Sequence, residues 1–88
     1  MKADCYFWNK HRGRDLNLYY ALEGSPDNLN FSALPLKFEL VRKAEFDHYT
    51  MRNAQPIPPE VRYLRVVLKA PVQSESWSNQ IAGIEIEH

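Results

Sequence analysis

Residues 84–87 run Ile-Glu-Ile-Glu, and that strict alternation leaves the chain little choice. A period of two puts apolar side chains on one face of a strand and acidic ones on the other. Ile84 and Ile86 are therefore expected inward, with Glu85 and Glu87 outward in solvent. The same period appears where Leu36, Phe38 and Leu40 alternate with Lys37, Glu39 and Val41. Over residues 16–23, Leu16, Leu18, Tyr20 and Leu22 share one face of an expected strand. Residues 5–9 are aromatic and β-prone, and 45–51 form a weaker strand candidate. Residues 61–69 fit two templates. As a strand, Leu64, Val66 and Leu68 oppose Tyr63, Arg65, Val67 and Lys69; as a helix, Val61, Leu64 and Leu68 make a stripe. The β-branched pair Val66-Val67 and the flanking Pro59 and Pro71 favour the strand. Turn chemistry separates these segments: Gly24-Ser25-Pro26-Asp27-Asn28, and the prolines at 56, 58 and 59. Short strands so punctuated predict an all-β, antiparallel β-sandwich, with residues 1–88 as a single domain.

Composition narrows the function classes. Hydrophobic residues are 44% and charged residues 25%, the balance of a soluble globular chain rather than a disordered one. The formal net charge of zero weighs against nucleic acid and anionic membranes as partners, since both select a basic excess. Cys5 is the one cysteine, so no internal disulfide forms, and it reads as a small buried hydrophobe. No Cys/His spacing suits zinc and no glycine-rich phosphate loop occurs, so neither metal nor cofactor is expected. No apolar run reaches membrane-span length, and Met1–Lys10 holds no signal-peptide core. Glu85 and Glu87 share a solvated face, where nothing raises one pKa to make an acid/base pair. Cys5 with His11 or His48 lacks a third group and an oxyanion motif. An enzyme is not expected.

The segment Pro58-Pro59-Glu60-Val61-Arg62-Tyr63-Leu64-Arg65-Val66-Val67-Leu68-Lys69-Ala70-Pro71, a polar loop with Trp77, and then Ile81, Ile84, Glu85 and Ile86 resemble the last two strands of discoidin-like (coagulation-factor type C) domains. These belong to the galactose-binding-like superfamily. Upstream, Ser25, Asp27 and Phe31 match a further motif of that family, with Asn28 at its usual glycine. The resemblance spans residues 16–88 and implies a jelly-roll sandwich. It lacks the family's N-terminal portion, its frequent calcium-binding loop and the paired cysteines of animal members. It therefore implies a fragment or shortened relative of bacterial type, secreted or periplasmic, beside a catalytic domain in the parent chain. It also implies self-association through strand edges left open.

In an antiparallel sandwich the connections alternate between two ends. Loops 10–15, 41–45 and 71–80 then share one end, and 25–28 and 55–59 the other. The first end collects Trp77, Ser76, Asn79, Gln80, His11, Arg12, Arg14 and Asp15. An aromatic face for a sugar ring and planar polar groups for its hydroxyls suit a glycan ligand. We take Trp77, His11, Arg12, Arg14, Asp15 and Asn79 as the candidate ligand-binding set of a noncatalytic carbohydrate-binding module. The alternative is a structural or protein-interaction accessory domain without glycan binding. Trp77 is equally suited to capping the core, and residues 10–15 to an ordinary solvated loop; Trp8 is expected in the core. Arg62, Arg65 and Lys69 are expected at the solvated rim.

Overall fold

A computed structural model describes residues 1–72 and 78–86. The chain is mostly β and forms two antiparallel sheets. Its strands are β1 (Lys2–Trp8), β2 (Tyr20–Ser25), β3 (Ser32–Leu34), β4 (Leu36–Arg42), β5 (Phe46–Asn53), β6 (Tyr63–Leu68) and β7 (Asn79–Glu85). One sheet has the order β4-β5-β1-β7 and the other β3-β2-β6. Only Pro35 separates β3 from β4, so the chain changes sheets there within one residue.

The core lies between the sheets. On β1, Ala3, Cys5 and Phe7 are buried while the residues between them are half-buried on the opposite face. Directly opposite residues of an antiparallel pair share a face. Met51 therefore joins Ala3, Tyr49 and Ile81 flank Cys5, and Asp47 and Asn79 flank Phe7. The second sheet contributes Tyr20 and Leu22, with Leu34, Leu64 and Val66 packed around them. Gly24 has no room for a side chain, since an added Cβ would lie 2.9 Å from both Leu34 Cδ1 and Val61 Cγ1. One hydroxyl ties the sheets together. Tyr20, only 1% exposed, donates to Tyr6 O at 2.8 Å and lies 3.3 Å from Gln80 O.

The structure departs from the alternation in several places. Residues 16–18 form a 3-10 turn rather than the start of β2, because Asp15 Oδ1 accepts the Asn17 backbone N–H at 3.0 Å. Such a local side-chain bond competes with a sheet ladder. Leu18 is consequently 48% exposed, while Leu16 still packs on the core. The 45–51 segment is not a weak strand: β5 pairs on both sides, with β1 and β4. Its buried Asp47 interrupts the apolar pattern that would have revealed it. Trp8 lies half-buried on the outward face of β1, opposite Phe46, and is not a core residue. Ile84 and Ile86 are 52% and 49% exposed, contrary to the inward placement expected of them. The ladder between β1 and β7 shifts register at Gly83, whose φ of +58° makes an irregularity on an edge strand. β6 and β7 do not pair with each other; each pairs in a different sheet.

The turn after β2 is capped by its own side chains. Ser25 Oγ accepts the Asn28 N–H at 2.9 Å, and Asp27 Oδ1 accepts those of Leu29 and Asn30, both at 2.9 Å. Asn28 adopts φ +63°, the left-handed conformation that asparagine tolerates.

The Tyr20 hydroxyl gives a direct test of how the sheets are held. Tyr20→Phe keeps the ring packed but leaves buried carbonyls with one partner fewer. We expect a loss of about 1–2 kcal/mol, read as a lower urea midpoint with an unchanged m-value.

Candidate functional site

The end of the sandwich beyond Phe7 is built from residues 9–19, 44–47, 69–72 and 78–79. Backbone bonds draw these segments together. Trp8 donates to Ser78 O at 2.9 Å, Asn9 to Glu45 O at 2.9 Å and Lys69 to Tyr19 O at 2.9 Å. The structure therefore brings His11, Arg12, Arg14, Asp15 and Asn79 to one end, together with Lys69 and Ser78. Trp77 and Ser76 lie outside the described residues.

Most of these side chains have internal partners. Arg12 grips Asp47 with two bonds: Nε donates to Oδ2 at 2.7 Å and Nη2 to Oδ1 at 2.7 Å. A paired guanidinium and carboxylate in this fork geometry fix each other's orientation. The Asp47 side chain is 0% exposed, and the Ala44 N–H also donates to it at 3.0 Å. The Arg12 bonds come first among the causes that hold the Asp47 carboxyl below the usual carboxylate range, against the cost of its burial. The Arg12 side chain nevertheless remains 42% exposed. Arg14 Nη1 donates to the Tyr19 hydroxyl at 2.8 Å. Asp15 caps the 3-10 turn, and its bonds from Asn17 keep its carboxyl below the ordinary value. The His11 ring stands beside aromatic neighbours, with centroids 5.0 Å from Trp8 and 6.1 Å from Phe7.

Asn79 joins the two sheets at this end. Its Nδ2 donates to Tyr19 O at 2.7 Å and to Lys69 O at 2.9 Å, while the residue is 4% exposed. Burial makes it a structural strut, so a ligand in solution would not reach it. Its Oδ1 and the Ser78 Oγ are buried without a hydrogen-bond partner among the described residues. Gln80 is exposed on the outward face, opposite Tyr6.

Two residues that sequence reasoning left aside matter here. Asp47 sat inside the weak-strand segment with nothing to mark it as the partner of Arg12. Tyr19 falls within the strand that residues 16–23 suggest, yet it meets Arg14 through its hydroxyl and Asn79 and Lys69 through its backbone. The one available signal was an acidic residue amid the apolar pattern of 46–51.

A second polar cluster lies on the outward face of the larger sheet. Tyr6 stacks on His48 with centroids 4.8 Å apart, and His48 Nε2 lies 2.9 Å from Asp4 Oδ1. Cys5, on the other face, is wholly buried, and burial pushes its thiol up to about 12. It stays protonated and is not a nucleophile at neutral pH. Among the described residues, no three His, Cys, Asp or Glu side chains stand close enough to hold a metal ion, and no helix is long and apolar enough to cross a membrane. Comparison with protein-family models, curated proteins and solved structures gave no match.

The Asp47 pair makes stability depend on acid in a definite direction. Its carboxyl is depressed in the folded chain, so the unfolded chain takes up the proton first as pH falls. The contribution is complete above the ordinary carboxylate range and is lost as pH drops through the folded value. We expect thermal melts to be flat above about pH 5 and to fall steadily below about pH 4. Asp47→Asn should flatten part of that slope. Asp15 and Asp27, also depressed by hydrogen bonds, should account for much of the remainder.

Proposed function

We propose that the chain is a noncatalytic carbohydrate-binding module, a discoidin-like jelly roll appended to a bacterial carbohydrate-active enzyme that is secreted or periplasmic. The ligand-binding end is the one carrying His11, Arg12, Arg14 and Asp15. One observation carries the reading: two guanidiniums on a single loop are held in place by internal partners, Arg12 by Asp47 and Arg14 by the Tyr19 hydroxyl. Binding hydroxyls costs less when the donors are already fixed, because little side-chain freedom remains to be lost. Trp77, from the sequence, supplies the aromatic face for the sugar ring. Asn79 drops out of the contact set because it is buried.

A protein-interaction accessory is the second reading. It is favoured by Leu68, Ile84 and Ile86, which are 49%, 52% and 49% exposed.

A glycan array followed by titration calorimetry decides between them. Arg14→Ala and Trp77→Ala should each reduce binding of the captured glycan by about tenfold or more, with circular dichroism unchanged. No binding to any glycan by the folded chain would refute the first reading and leave the second.

A further inference from the structure

Among the described residues each sheet ends on two strands with one unpaired side, and three of these four edges are blunted. β3 is three residues long and stops at Pro35. β4 carries Lys37 and Glu39 and loses register between Leu40 and Arg42. β7 is irregular at Gly83. Such features discourage strand addition. β6 is different. All six of its residues stay in register with β2, from Tyr63 to Leu68, without a bulge or a proline. Its core-facing side is covered only in part: Leu64 and Val66 are half-buried and Leu68 is 49% exposed.

We propose that a second copy of this chain pairs with the free edge of β6 through its residues Ile84–Ile86. Past the irregularity at Gly83, this short segment offers two exposed isoleucines around Glu85. β6 offers Leu64 and Val66 around Arg65. An antiparallel register with Arg65 opposite Glu85 of the second copy places Val66 opposite Ile84 and Leu64 opposite Ile86. Directly opposite residues share a face, so the apolar pairs extend the core and the ion pair stays outward. The charges match: β6 and its flanks carry Arg62, Arg65 and Lys69, whereas the segment carries Glu85. Arg65 is already oriented, with Nε donating to Glu23 Oε1 at 2.6 Å and its guanidinium 3.8 Å above the Phe31 ring. Within one chain the pairing does not form, because β6 is bound to β2 and β7 to β1 in different sheets. Two copies satisfy it twice, once in each direction, around a twofold axis. The contact lies at the opposite end of both strands from Lys69 and Asn79, so it stands independently of the glycan reading.

Sedimentation velocity on the 88-residue chain, from micromolar to millimolar concentration, tests this. The wild type should form a dimer, and Glu85→Lys or Arg65→Glu alone should weaken it about tenfold or more. Mixing the two variants in equal amounts should restore association. In the mixed dimer both contacts again join opposite charges, which misfolding of either variant could not produce. Cross-linking adds a second readout, because Cys5 is buried and will not compete. Val66→Cys mixed with Ile84→Cys should form a disulfide between copies in preference to either variant alone. A wild type that remains monomeric throughout overturns the proposal. So does a dimer indifferent to both charge reversals, or a Val66→Cys chain that cross-links to itself as readily as to the Ile84→Cys chain.

Discussion

The Asn79 side chain holds the architecture together where the two sheets would otherwise part. Its amide donates to the carbonyls of Tyr19 and Lys69, which flank the paired strands β2 and β6 of the smaller sheet, while its backbone belongs to the larger one. A buried amide bonded to two carbonyls is worth more than its net stabilisation suggests, since removing it costs Lys69 O its side-chain donor and leaves Tyr19 O with the Lys69 N–H alone. Around this strut the Arg12–Asp47 pair and the Arg14–Tyr19 bond fix the neighbouring loop. Among the described residues the opposite end of the β6–β7 side has no equivalent strut, and there Ile84 and Ile86 lie open. One end of the molecule is laced and one is loose.

The sequence carried the overall class well and the connections less well. Period-two patterns located β4, β6 and β7; in β6 the alternating Leu64 and Val66 lean on the core, whereas in β7 the pattern marked the strand but not its inward face, since Ile84 and Ile86 stand exposed. Patterns failed where a polar residue was buried. Asp47 made β5 look marginal, although its carboxylate is stabilised inside the fold by a distant arginine, and distance along the chain hides such pairs. They failed again at residues 16–18, where a single Asp15 side chain outweighed the alternation of Leu16 and Leu18. β3 was missed altogether; three residues are too few to show a period.

The site was legible as a loop cluster but not as a set of roles. Arg12 and Asn79 have suitable chemistry for a sugar, and the sequence could not say that one is half-spent on Asp47 and the other wholly enclosed. Trp8 shows the converse error. An aromatic residue in a β-prone run was expected inside, yet parity along β1 put Phe7 inward and Trp8 outward. A shift of one residue reverses every such assignment.

The placement of β1 has a further consequence for how the molecule is made. The first strand of the chain lies between β5 and β7, whose residues are 46–53 and 79–85. During synthesis β1 emerges before both β5 and β7, and it waits longest for β7. Pairings this remote in sequence pay the entropy of closing a long loop before they return any contact. The smaller sheet, whose strands span residues 20–68, can assemble earlier. The nascent chain must therefore keep the apolar face of Ala3, Cys5 and Phe7 from straying until β7 emerges, and that interval is when a chaperone would be most useful.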